Sequence, residues 1–193
     1  MELAISLLIG IGLSATSGFR LFLPFLVISV AALTGHLELS PTFAWLGSYP
    51  ALTVFAVATL LEILSYLFPF VDNLLSTISI PFALVAGTII TASVLVELSP
   101  LLTWSLAIIA GGGASLTTKT TSTLLHTGST AVSGGTANPA VSLAETVYSV
   151  IMAVVSIVAP VLIILFFGVI LWVGFRILRR RKRQPGLPAH KPR

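Results

Sequence analysis

Seven ionisable residues, Arg20, Glu62, Asp72, Glu97, Lys119, His126 and Glu145, lie within or beside long apolar stretches of this chain. A charge at the centre of a bilayer costs about 2.5 to 3.5 kcal/mol on insertion scales, so such groups pair with one another or face water. Arg20 and Lys119 are cations suited to attracting an anionic group. Glu62 and Glu145 are carboxylates able to hold those cations in place or to carry a coupling proton. The same four residues could equally form two buried ion pairs that only fix helix packing, and both readings stay open at this point. Glu97, beside Ser99 and Pro100, reads as an interfacial charge at a helix end. His126 has no ligand spacing around it and reads as a loop residue rather than a metal ligand.

Other chemistries lack their residues. There is no GxSxG, no HExxH, no Walker loop and no acidic pair spaced for a metal. Cysteine is absent, which excludes disulfides and thiolate sites together. "AGGGAS" (110–115) is glycine-rich, but no Lys-Ser or Lys-Thr follows it, so close helix packing explains it better than a phosphate cradle. The expectation is a protein that is not an enzyme and carries neither metal nor cofactor.

The elements that must position these residues are membrane helices. Of 193 residues, 56% are hydrophobic and only 8% charged, and the mean hydropathy is +1.08. Soluble domains carry about 25% charged residues. The net charge of +4 does not mark a nucleic-acid binder, because seven of the ten Lys and Arg residues lie at or after Arg179. That basic cluster after an apolar run predicts a cytoplasmic C-terminus, with anionic lipids as partners of the tail. "MELAISLL" has no Lys or Arg ahead of its apolar run and so reads as retained rather than as a secretory signal.

A helix needs about 20 apolar residues to cross a bilayer. Residues 51–68, 80–98 and 147–178 come closest, the last with a kink expected at Pro160. Two stretches read instead as broken or re-entrant helices: 3–34, interrupted by "SATSGFR", and 100–126, interrupted by "AGGGAS". Such breaks must be buried in protein or line a watery cavity. Residues 36–50 read as interfacial through Trp45 and Tyr49. Residues 69–79 read as a short turn or half-helix capped by Asp72, and 127–142 as a loop.

The interruptions suggest a duplication. At an offset of 99, "IGIGLSATSGFR" (9–20) lies over "IIAGGGASLTTK" (108–119), which aligns Arg20 with Lys119. Glu62 and Glu145 align at an offset of 83. The expected architecture is therefore an all-α polytopic membrane bundle over 1–178, with possible inverted repeats at 3–68 and 100–165 and a basic tail at 179–193. Inverted repeats with broken helices meeting at the midplane are a recurrent transporter plan.

"SGFRLFLP", then "LE" with "PFVD" following, then "ANPAVSLAE" resemble the bacterial membrane-protein family DUF4126. The matching positions are Gly18, Arg20, Pro24, Glu62, Pro69, Asp72, Asn138, Pro139, Ser142 and Glu145. The family is more basic than this chain around 115–126, where Lys119 stands among threonines. The resemblance implies a multi-pass protein of the bacterial inner membrane and supplies no substrate.

Together these readings predict a small transporter or flippase-like protein. Gly18, Arg20, Glu62, Lys119, Asn138 and Glu145 would form a midplane site for an anionic solute or lipid headgroup. Pro24, Pro69, Asp72, Pro139 and Ser142 would shape or cap the helices. The alternative is a non-transporting scaffold or partner subunit whose buried charges are structural. The partners expected are the bilayer, a small anion and a second copy of the chain, and no nucleic acid.

Overall fold

The computed structural model describes residues 2–65, 69–96 and 98–162 and, over 69–78, the backbone alone. Among the described residues there are seven α-helices and no strand. They are α1 (Glu2–Ser17), α2 (Leu23–Leu33), α3 (Tyr49–Ser65), α4 (Pro69–Val94), α5 (Pro100–Leu106), α6 (Gly113–Ser133) and α7 (Asn138–Val158). A 3-10 segment, Pro41–Gly47, precedes α3 at a bend of 66°.

Two helices, Pro100–Ser133 and Asn138–Val158, are long and apolar enough to cross a membrane, and the bent pair ending in α3 makes a third if it counts as one span. Large aliphatic side chains face outward on them, including Val54, Leu60 and Leu61 of α3 and Val147, Ile151 and Val154 of α7. In water such a surface would drive aggregation, whereas in lipid it is the solvent-facing side.

Proline and glycine set several boundaries. Pro24 is the second residue of α2 and Pro139 the second of α7, where the missing N–H breaks no helical bond. Gly134, at φ 62°, ends α6 in the left-handed conformation that glycine adopts without strain. Ala159 leaves helical geometry at φ −142° and ends α7, so the helical run is interrupted at Pro160, with helix again at 161–162, the last described residues. A proline within an unbroken helix would have clashed with the carbonyl one turn back.

Three other expectations change. Residues 69–79 are not a separate turn, since the backbone of α4 runs unbroken from Pro69 through Pro81. The segment 127–142 is mostly helix, and only 134–137 separates α6 from α7. At "AGGGAS" no break occurs: Ala107–Gly112 form a π-helical turn that joins α5 to α6 in one helix of 34 residues. Arg20 therefore lies between helices, in 18–22, whereas Lys119 lies within one. Glu97 and the residues from 163 on, including the basic tail, are outside the described residues.

The centre of the bundle is where α1, α4 and the π turn cross, and small residues allow it. Ser14 Oγ donates to the Gly87 carbonyl at 2.7 Å and sits 2.9 Å from Thr91 Oγ1. A Cβ on Gly111 would collide with Thr91 Oγ1 and the Gly87 carbonyl, so α4 and the π turn touch backbone to backbone. Membrane helices associate through such close approach and hydroxyl bonds, since lipid offers no hydrophobic drive between them. Leu13, Ile28, Ile90 and Val94 fill the adjoining core.

Candidate functional site

Between α1 and α2 the chain leaves helical geometry for five residues inside an apolar bundle. The amides before α2 would be orphaned there, and unserved backbone groups are costly away from water. Glu62 of α3 supplies the acceptors: Oε1 takes the Leu21 N–H at 2.6 Å and Oε2 the Phe22 N–H at 3.0 Å. Its charge also lies at the positive end of α2. Glu62 thus acts as a cap reaching across forty residues, and Arg20 and Lys119 lie within electrostatic reach of its carboxylate.

Arg20 reaches α7. It is 1% exposed, and its Nη2 donates to both the carbonyl oxygen and the hydroxyl of Ser142, each at 2.6 Å. Ser142 is on the first turns of α7, so the guanidinium ties the break to that helix. Gly18 makes the approach possible on the opposite flank, where a Cβ would lie 2.5 Å from the Ser115 carbonyl and 2.7 Å from the Lys119 nitrogen. Ser17 Oγ and Ser115 Oγ, 2.7 Å apart, complete that contact between α1 and α6.

The α6–α7 hairpin has a polar seam. His126 Nε2 is 3.1 Å from Glu145 Oε2, so His126 is a helical residue with a carboxylate partner and not a loop residue. Glu145 therefore has His126 of the same hairpin as a side-chain partner. Nearer the turn, Asn138 Nδ2 donates to Thr130 Oγ1 at 2.9 Å. Along α7, Ser142, Glu145, Ser149 and Ser156 all face inward at helical spacing.

A cavity of ≈ 390 Å³ opens on the other side of the break. Gly18, Glu62 and Lys119 line it, together with Ser17, Ser65 and Ser79, while much of the remaining wall is Leu21, Phe22, Ala58 and Leu61. Of the residues expected to bind a ligand, then, Gly18, Glu62 and Lys119 come together here. Arg20 and Glu145 meet α7 and α6 instead, and Asn138 belongs to the hairpin turn. Pro69 and Asp72 are in the first turn of α4, where only the backbone is described.

Sequence reasoning missed two of the buried hydroxyls, Ser14 and Ser149, and the signal for the second was available in the inward spacing of serines along α7. The backbone amides of Leu21 and Phe22 have no signature in residue type.

An all-α bundle with two to three helices long and apolar enough to cross a membrane among the described residues is compatible with a membrane protein of the helical class. The model of the family described as "Domain of unknown function (DUF4126)" matches residues 7–180, and the chain belongs to that family. No curated protein and no solved structure matches it.

Proposed function

We propose that the chain is a small transporter or flippase-like protein of the bacterial inner membrane, multi-pass and with a cytoplasmic C-terminus. The observation that carries this is Lys119, 5% exposed, in the wall of a cavity among apolar helices. Lys119 and Glu62 together give the cavity a charged lining. The Glu62 carboxylate also accepts the amides that start α2, and Ser17, Ser65 and Ser79 add hydroxyls. A buried cation at membrane depth beside a hollow is the usual mark of a path for an anionic group. The ligand would be an anionic solute or a lipid headgroup, moved without chemistry. The interrupted 18–22 segment would be a broken helix lining that path, and the π turn at 107–112 its counterpart in an inverted repeat. A second copy of the chain and anionic lipids at the tail complete the reading.

Its rival is a scaffold or partner subunit that transports nothing. Glu62 favours it, since both oxygens of that carboxylate serve backbone amides and the residue has a structural duty of its own.

The two are separated in liposomes. Single cysteines at Ser17 and Ser65, in a chain with none of its own, should react with a membrane-impermeant thiol reagent, and a panel of anions and labelled lipids should show flux that Lys119→Met abolishes. Protection of both cysteines, with no flux for any member of the panel, would leave the scaffold.

A further inference from the structure

Glu62 and Glu145 are both buried, and they are bound in different ways. Both oxygens of Glu62 accept a backbone amide. Glu145 is 6% exposed, and only its Oε2 is met, by His126 Nε2. Its Oε1 is buried with no hydrogen-bond partner among the described residues. One turn further along the same face of α7, the hydroxyl of Ser149, 0% exposed, is likewise without a partner there. Buried polar atoms are almost always hydrogen-bonded, so two orphans on one helix face call for an explanation such as a missing ligand.

We propose that Glu145, flanked by His126 and Ser149, is a proton-binding site inside the bundle. A proton from water adds to Oε1 and turns the carboxylate into a neutral acid, whose new O–H donor is offered to Ser149 Oγ. The Nε2–H of His126 goes on donating to Oε2. One O–H bond forms on uptake and breaks on release, and the proton returns to water. As a coupling site it deepens the transporter reading and rests on it, although proton binding itself is measured without flux.

The surroundings favour a proton over a metal cation. Among the described residues, the elements packed most closely on α7 are α1, whose one ionisable residue is Glu2 at its far end, α2, which has none, and α6, which brings His126 into contact and Lys119 two turns away. Arg20, at the 18–22 break, is bound one turn before Glu145 at Ser142. On α7 itself the next residue but two is Tyr148, in edge contact with Phe19. A hard cation needs more oxygens than the two that are vacant. No group of three or more potential ligating side chains occurs among the described residues. An imidazole and a carboxylate in contact at membrane depth are the recurring parts of proton relays.

The experiment is infrared difference spectroscopy of the full chain in lipid nanodiscs, between alkaline and acid pH. The expected result is a band of a buried carboxylic acid that grows on acidification, disappears in Glu145→Gln, survives in Glu62→Gln and shifts in Ser149→Ala. Ser149 makes no side-chain bond among the described residues, so its variant keeps the test alive should Glu145→Gln fail to fold. A band that persists in Glu145→Gln or stays unmoved in Ser149→Ala overturns the proposal. So does a carboxylate signal that responds to sodium at constant pH. The band without solute flux would overturn the transporter reading and leave the site standing, and flux without the band would do the reverse.

Discussion

Nη2 of Arg20 lies 2.6 Å from both the carbonyl oxygen and the hydroxyl of Ser142, a residue 122 positions later. That pair joins the "SGFRLFLP" element to the "ANPAVSLAE" element. One cation thereby satisfies a helix carbonyl and a hydroxyl in a place water does not reach.

Ser142→Ala should remove the hydroxyl acceptor and keep the carbonyl. Hydrogen bonds to charged groups contribute about 1.5 to 3 kcal/mol, so thermal unfolding in detergent should show a loss of that size or somewhat less. Arg20→Ala should cost more, because both hydrogen bonds from the break to Ser142 are then lost.

Glu62→Gln keeps the shape but turns one of the two acceptors into a donor that faces an N–H. Leaving a buried amide unserved costs about 1 to 3 kcal/mol. Hydrogen exchange at Leu21 and Phe22 should speed up in this variant while amides in the middle of α4 remain protected. Equal acceleration at both places would mean that Glu62 acts on the whole bundle and not as a local cap.

Gly18→Ala and Gly113→Ala form a matched pair. The first places a methyl 2.5 Å from the Ser115 carbonyl, against helix backbone that cannot yield as a side chain would. Overpacking of this kind costs about 1 to 3 kcal/mol, and the upper end is expected. At Gly113 a Cβ meets nothing within 4 Å, so the second change should stabilise α6 by about 0.5 to 1 kcal/mol through helix propensity alone. Melting temperatures of the two variants check both signs.

Asn138→Ala should be close to silent. Its bond to Thr130 is at the exposed hairpin turn, away from the cavity, and surface changes of this sort fall within about 0.5 kcal/mol. A flux defect without a stability change would place Asn138 on the substrate path and contradict its position here.

The interruption at Arg20 was legible because Gly18 and Pro24 bracket a charge in an apolar run. Its acceptor was not, since the partners of Glu62 are amides, which every residue has. The segment 127–142 was read as a loop for a related reason, its polar composition. Thr117, Thr120, Thr121 and Thr127 return their hydroxyls to carbonyls one turn back. They satisfy themselves inside the helix, so polar side chains of this type do not by themselves end one. The glycines of "AGGGAS" were read as a break, but Gly111 is needed for contact with Gly87 and Thr91. Tight packing there holds the helix together through a π turn.

That turn at Ala107–Gly112 also fixes the azimuth of everything after it. Each residue of an α-helix advances the side chains by about 100°, and a π turn accommodates one residue that an α-helix would have no room for. Deleting a residue there would relax the segment to ordinary winding and rotate α6 as a rigid screw. Lys119 would leave the cavity wall and His126 would swing off the seam with Glu145. The phase of one short segment therefore sets which residues of α6 face the interior.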